Sequence, residues 1–431
     1  MSDRRSAGDR LTRSRSLQDG PVSLWRSTVA ALAAQGVSSL GNVVIGLLVA
    51  RFLGPVEFGR FAILFAILQV CVALQTHGVG DSLTVLDRSL PGIRSAIHLT
   101  QYVHGLLGFV VGSLSAIMLV GLSWSSSTIF GLLIVFWEFE EYARRALMAN
   151  LQFIRQGISD VIYLLVVVIG LGVAQGFFEL TLNAVVLAMG IGAAVAGLLG
   201  QLLLRKEDRL RGVEWCAARQ SWGQVFEYGG WRSLSAVIGS LSQLGLRVVV
   251  AQLASLYVLG NVEAARILVA PLFTATAALG NILLPLFARE RRLQHGKTSG
   301  SVHWIGVLGV VCVVLYGSAC LTWTGFLMNA LAGPQYVSSR LLVCGWVLAA
   351  LVFAALNNSG VRALVVLSGR VVFTYRGLGA LAILGGSWLV CLAGLPYLVP
   401  YCVAIGSAIG GVGLLVAVGR DGTKPDASGM K

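Results

Sequence analysis

The sequence contains few charged residues, which make up 12% of its 431 positions. An average soluble chain carries about a quarter, so a soluble protein is excluded. The seven cysteines form no Cys-x-x-Cys pair, and the five histidines join no metal-ligand or nucleophile arrangement. Glycine is frequent, at 53 residues, but no complete P-loop pattern is present. The sequence therefore predicts neither a cofactor nor a bound metal.

Hydrophobic residues, by contrast, make up 56% of the chain. They lie in about twelve runs of about 19 to 28 residues, and about 20 apolar helical residues cross a bilayer. Since lipid offers no hydrogen bonds, continuous runs of this kind form helices rather than barrel strands. The sequence predicts an all-α polytopic membrane protein with helices at 28–53, 58–80, 97–122, 128–150, 158–176, 181–204, 228–252, 260–287, 302–324, 338–361, 374–394 and 398–418.

The net charge of +13 does not indicate a nucleic-acid partner, because the basic residues follow every second predicted helix. The opposite loops, such as 121–127 and 175–179, hold no Lys or Arg. The positive-inside rule then places both termini in the cytoplasm. We expect a disordered basic tail at 1–27, six-helix bundles at 28–204 and 227–419, an amphipathic cytosolic linker at 205–226, and a second tail at 420–431.

An internal repeat supports two similar halves. The stretch from Leu53 to Arg60 recurs from Leu259 to Arg266 with Leu, Gly, Val, Glu and Arg in the same places. The match extends back to Trp-Arg-Ser, at 25–27 and again at 231–233. Halves with an even number of helices keep their orientation, which predicts a parallel repeat with a substrate site in a central cavity between the bundles.

The predicted helix 128–150 has only ten apolar residues before its charges begin, too few to cross a bilayer alone. It must therefore include Glu138, Glu140, Glu141, Arg144 and Arg145. Glu138, Glu141 and Arg145 share one helical face, and Glu140 and Arg144 form a second pair. Two interpretations stay open: a wet cavity with carboxylates for ion or proton coupling, or pairs that neutralise one another without a role in transport.

Arg26, Arg232, Arg247 and Arg266 are candidate substrate-binding residues, because a guanidinium binds phosphate through two parallel hydrogen bonds. Arg247 has no acidic residue within four positions, so an anionic ligand would suit it. The alternative is that Arg247 extends to the interface or pairs with a carboxylate on another helix. Arg26 and Arg232 lie near cytosolic helix ends, where extension to the interface is the competing explanation.

Four stretches of this sequence resemble the polysaccharide (O-antigen type) flippases of the multidrug/oligosaccharidyl-lipid/polysaccharide exporter superfamily. They are Val49–Phe61, Tyr228–Trp231, Leu283–Arg289 and Gly333–Tyr336. The resemblance implies a bacterial inner-membrane flippase for undecaprenyl-diphosphate-linked oligosaccharide, which serves O-antigen or exopolysaccharide synthesis. It implies that arginines of the protein contact the diphosphate and that the polyprenyl tail stays among the membrane lipids. It also implies a polysaccharide polymerase and chain-length machinery as partners. The family often has Asp before the arginine of the helix 228–252, where this chain has Leu246.

Two alternatives remain. A cation-coupled multidrug antiporter of the same superfamily would need acidic residues deep in its cavity, which the helix 128–150 could supply. An integral-membrane polysaccharide polymerase or glycosyltransferase would need catalytic acids on a large outer loop, and the predicted outer loops are short, so we do not expect an enzyme. Lipid II flippases usually carry two further helices, for which this chain has no room.

Overall fold

In the computed structural model, residues 21–293 and 300–421 are described, and these ranges contain helices and no strand. The all-α prediction is confirmed. The helices are α1 Pro21–Gln75, α2 Asp81–Val85, α3 Pro91–Val120, α4 Trp124–Ala149, α5 Phe153–Phe177, α6 Leu182–Leu203, α7 Trp215–Leu253, α8 Leu256–Leu293, α9 Gly300–Thr322, α10 Thr324–Leu327, α11 Arg340–Val366, α12 Gly369–Leu392 and α13 Val399–Asp421.

Helix α1 is two helices joined by a sharp turn. Gly54 has φ 78° and ψ 174°, outside the helical region, and Pro55 follows it. Proline disfavours helical angles at the preceding residue and suits the first turn of a new helix. Glycine adopts the positive φ without the penalty that a Cβ brings. The sequence-predicted break between the first two spans is therefore present, and α1 has a first arm at 21–53 and a second arm at 55–75.

Nine of the described helices are long and apolar enough to cross a membrane, or ten when the bent pair Gly306–Thr322 and Thr324–Ala332 counts as one span. Residues 40–53 of the first arm and the whole second arm of α1 fall within one of these, Leu40–Val85. Helix α4 is not among the nine, because its glutamates interrupt every apolar stretch of sufficient length. A total of twelve crossings, and the cytoplasmic position of both termini, stay predictions.

The helices pack as two groups that share one apolar core. In the first group α4 and α5 pack on α6, and in the second α11 and α12 pack on α13. The groups meet where α1 contacts α8 and α7, and where α3 contacts α7. Buried side chains from both groups, including Leu64, Leu246 and Trp346, belong to the same cluster. The interface between the halves is therefore continuous with the protein core.

The two copies of the repeated turn lie against each other at this interface. A Cβ on Gly260 would overlap the carbonyl oxygen of Pro55, and a Cβ on Gly59 would overlap that of Leu256. Only glycine lets the two backbones approach so closely. The repeat thus marks the contact between the halves as well as their similarity.

Hydrogen bonds between the halves border this contact. Tyr336 donates through its hydroxyl to the Ala50 carbonyl at 2.8 Å. Gln335 donates through its side-chain amide to the Arg51 carbonyl at 2.9 Å. Both donors belong to the Gly333–Tyr336 stretch, which therefore joins the second half to the end of the first arm of α1.

The predicted linker at 205–226 is divided in the structure. Residues 205–214 form turns and irregular backbone, whereas Trp215 begins α7, which continues without a break to Leu253. The expectation of a separate surface helix ending before residue 228 was wrong. The glycine pair at 229–230 stays helical, and Gly229 lies directly against the Gly78 backbone.

The turn segment 205–214 is attached to the first half through Asp208. This carboxylate accepts hydrogen bonds from Arg88 Nη1 and from Asn150 Nδ2, each at 2.8 Å. The predicted N-terminal tail overlaps α1, which begins at Pro21 rather than at residue 28. Residues 1–20 and most of the predicted C-terminal tail, from 422 onward, lie outside the described residues.

Candidate functional site

Arg247, Glu263 and Arg266 form a buried group of two guanidiniums on one carboxylate. Arg247 Nε lies 3.0 Å from Glu263 Oε1, and its Nη2 donates to Oε2 at 3.2 Å. Arg266 donates through Nε to the same Oε2 at 2.6 Å. The side chains of Arg247 and Glu263 are 7% and 2% exposed. We call this group the arginine triad; it carries one net positive charge when all three groups are ionised.

The local backbone explains the positions of these side chains. Arg247 is near the end of α7 and Glu263 near the start of α8, and only residues 254–255 separate the two helices. The short connection places α8 beside α7, so residues distant in sequence face each other. Arg266 lies three residues after Glu263, where helical side chains are neighbours.

Arg247 is therefore paired, which settles one alternative left open by the sequence. The interpretation of an unpaired arginine was wrong, because a carboxylate on the next helix neutralises it. Its Nη1 also donates to the Gln243 carbonyl at 2.8 Å. Glu263 was overlooked as a site residue, although its repetition with Arg266 at the Glu57 and Arg60 positions was a usable signal.

The repeat supplies an internal comparison for the triad. Arg60 contacts Glu57 at 2.5 Å, with the same spacing along the helix as Arg266 and Glu263. The side chains of Arg60 and Glu57 are 39% and 34% exposed. In the first half the position equivalent to Arg247 is Gly41. The second half thus has a second guanidinium on a buried carboxylate, and the first half has one on a partly exposed carboxylate.

Two cavities border the triad. One, of about 360 Å³, lies between the second arm of α1, α7 and α8, with α11 and α13 completing its wall. Its polar lining comes from Gln69, Ser240, Gln243, Arg247 and Arg266. The other, of about 190 Å³, is lined from both halves and includes Glu263 and Arg266. Arg266 lines both cavities, so the positive charge of the triad is presented between the halves.

The charged cluster of α4 is centred on Glu141. Arg144 lies 2.7 Å and Arg145 2.6 Å from its carboxylate oxygens. Thr76, which begins the π-helical segment Thr76–Gly80 directly after α1, donates to Glu141 at 3.2 Å. Glu141 is buried, and Arg144, which the sequence pattern paired with Glu140, contacts Glu141 instead. A role of these five charged residues in ion coupling stays a prediction.

Glu138 and Glu140 lie on other sides of α4. Both are buried. The Glu140 backbone lies against Gly197 of α6, and its carboxylate interacts with Asp160 of α5. Glu138 faces α3, where Gly105 and Gly108 leave room for its carboxylate.

Arg26 and Arg232 lie within α1 and α7, and their side chains are outside the described residues. The proposal that they contact substrate stays a prediction. Among the described residues no group of three or more His, Cys, Asp or Glu side chains could hold a metal ion.

No protein-family model and no curated protein matches the sequence. Solved structures are similar along almost the whole chain. The lipid II flippase MurJ in its inward closed conformation is 12% identical, with a TM-score of 0.69 over 92% of this chain and 88% of that one. A multidrug resistance MATE family transporter of the MOP superfamily is similar in its inward-facing conformation, with 13% identity and a TM-score of 0.64 over 91% of this chain and 97% of that one.

The outward-facing conformation of a MATE family transporter of this superfamily is similar to about the same degree, at 12% identity and a TM-score of 0.63, over 94% of this chain and 96% of that one. At such low identities the likeness concerns the fold. The chain therefore has the helical fold of MATE transporters and MurJ.

Proposed function

We propose that this chain is a transporter that moves a polyprenyl-diphosphate-linked oligosaccharide across the bacterial inner membrane by alternating access, for the synthesis of surface polysaccharide. The observation that carries the proposal is the arginine triad of the second half, which borders cavities lined from both halves. Its arginine side chains carry the excess positive charge and line cavities whose remaining walls are largely apolar. A substrate with a diphosphate beside its lipid suits that charge.

The triad is suited to bind an anion because Glu263 fixes the guanidiniums before a ligand arrives. Held side chains lose less conformational freedom on binding than mobile ones. Arg266 has 27% of its side chain exposed, so it can offer donors to a phosphate while Nε stays on Glu263. Guanidinium–phosphate pairs are often bidentate and stronger than neutral hydrogen bonds.

The cavity sizes favour a headgroup and exclude the lipid chain. The larger cavity, about 360 Å³, is at the small end of the range for ligand sites, about 300 to 1,000 Å³. A diphosphate with part of its glycan fits such a volume. A long polyprenyl tail does not, so in this proposal the tail remains in the bilayer.

A multidrug antiporter is the second candidate, because MATE transporters share the fold. Such a protein would need a free carboxylate facing the cavity to bind a cationic drug. Glu263 is the carboxylate lining the cavities described above, and two arginines already neutralise it. An enzyme receives no comparable support, since connections such as 121–123 and 178–181 are too short to form a catalytic domain.

The test is flipping in proteoliposomes with a fluorescent polyprenyl-diphosphate-linked disaccharide, scored by quencher access to the outer leaflet. Arg266→Gln should reduce the flipping rate at least tenfold, because about 1.4 kcal/mol of lost anion binding already corresponds to that factor. Arg60→Gln is the matched control: it removes the equivalent arginine of the first half, which lines neither cavity, and should leave the rate almost unchanged.

In cells, loss of the protein or an Arg247→Ala substitution at normal protein level should leave lipid-linked repeat units on the cytosolic leaflet. Normal surface glycan in the deletion strain, when no second copy compensates, would refute the proposal. Export of cationic dyes without flipping of the disaccharide lipid would favour the antiporter.

A further inference from the structure

Glu138 has a buried carboxylate oxygen that lacks a partner. Its side chain is on the α3 face of α4, and the residue is 1% exposed. Oε2 has no hydrogen-bond donor in the part of the chain that the structure describes. An ionised carboxylate in this position would carry a large desolvation cost, which a buried acid avoids by taking up a proton.

Glu141, one turn further along α4, explains why Glu138 stays without a cation. Arg144 and Arg145 both direct their guanidiniums to Glu141. The nearest amides do not serve the Glu138 carboxylate either. Gln75 and Gln101 donate to its backbone carbonyl, at 3.0 and 3.1 Å.

On the α3 side, glycines lie against the Glu138 carboxylate and place no side chain between it and the outside of the bundle. A methyl group built on Gly105 would lie 3.9 Å from Oε2, and one on Gly108 would lie 3.0 Å from Oε1. Gly105 and Gln101 also line a largely apolar groove of about 560 Å³ between α3, α4 and α6. A glycine wall therefore separates the carboxylate from a groove on the outside of the helix bundle, where side chains such as Leu106 and Leu198 are exposed.

We propose that Glu138 is a reversible proton-binding site, reached through the glycine wall formed by Gly105 and Gly108. Titratable or charged groups near it are Cys71 on α1 and the Glu141–Arg145 pair on the next turn of α4. A protonated Glu138 supplies a donor in a region where Gln75 Oε1 is also buried without one. The use of this proton to drive transport rests on the proposed function, whereas proton binding itself does not.

Dicyclohexylcarbodiimide tests the site without any substrate, since this apolar reagent enters bilayers and adds to protonated carboxyl groups. The purified wild-type protein would be treated over a range of pH and the adduct located by peptide fragmentation in a mass spectrometer. We expect the adduct on Glu138, declining as pH rises. Glu138→Gln should abolish the adduct. Glu140→Gln, which changes another buried glutamate of the same helix, should retain the adduct on Glu138.

An infrared spectrum gives an independent readout that does not depend on reagent access. The carboxylic-acid carbonyl band of the wild-type protein should lose intensity in Glu138→Gln. A spectrum unchanged by Glu138→Gln overturns the proposal, as does an adduct confined to Glu140 or Glu141. Labelling of Glu138 that sodium ions suppress at every pH would replace the proton with a metal cation and also overturn it. Each of these outcomes is separate from the result of the flipping assay.

Discussion

The internal repeat allows one ion pair to be tested in two environments of the same protein. Glu57 and Glu263 each accept a hydrogen bond from an arginine three residues later. The first carboxylate is 34% exposed and the second 2% exposed. Glu57→Gln and Glu263→Gln therefore make the same chemical change at equivalent positions, which differ in burial and in the second guanidinium that Arg247 adds to Glu263.

The expected free-energy costs differ because solvent replaces a lost partner only at the exposed site. Partly exposed pairs contribute about 0 to 1 kcal/mol, which is the expected loss for Glu57→Gln. Removing one member of a buried pair costs about 3 to 5 kcal/mol, since the remaining charge is left uncompensated. Glu263→Gln leaves two guanidiniums on a neutral amide, so its cost belongs at the upper end of that range.

The assay is thermal unfolding of the detergent-purified variants, followed by loss of monodisperse protein after heating. We expect Glu263→Gln to unfold at a clearly lower temperature than the wild type and Glu57→Gln to differ little. The double variant Arg247→Gln/Glu263→Gln should be less destabilised than the sum of its single variants, because it retains one guanidinium instead of two. Equal unfolding temperatures for Glu57→Gln and Glu263→Gln would refute the argument that burial of the triad determines its energy.

Two further predictions concern packing and orientation. Gly260→Ala introduces a Cβ that overlaps the Pro55 carbonyl, so we expect a destabilisation of about 1 to 3 kcal/mol in the same thermal assay. The control is Gly172→Ala, because no atom lies within 4 Å of a Cβ at that position. An equal effect of the two substitutions would contradict the contact between the turns. The predicted cytoplasmic orientation of the loop before α7 can be tested with cysteines, because Cys216 is exposed and Cys71 is buried. A membrane-impermeant maleimide should label Cys216 in inside-out vesicles and leave Cys71 unmodified. Labelling of Cys216 from the opposite side would reverse the predicted orientation.

Local features of the fold could be predicted where one segment contains its own cause. The turn at Gly54 and Pro55 follows from the backbone preferences of these two residues, and the structure has it. The linker could not be delimited in the same way. Trp215 to Phe226 carry polar residues that suggested a separate helix, but they continue into α7 because nothing at the glycine pair 229–230 interrupts the hydrogen-bonded helix.

The candidate site was predictable only in part, for a similar reason. Arg247 was identified from its own type and position. Its partner, Glu263, lies on the next helix and becomes a neighbour only when α7 and α8 pack. The glutamates of α4 were equivalent in the sequence, and packing separated them: Glu141 received two arginines, whereas Glu138 was placed behind glycines of α3.

The sequence by itself determined that this protein is a bundle of membrane-type helices, because apolar length and backbone preference act within each segment. Its internal repeat predicts two similar halves. Only the tertiary structure decided which charges are balanced. Electrostatic energy depends on distance and burial, and the packing of different helices sets both. The repeated Glu and Arg show this most clearly, since identical residues at identical spacing form a half-exposed pair in one half and a buried triad in the other.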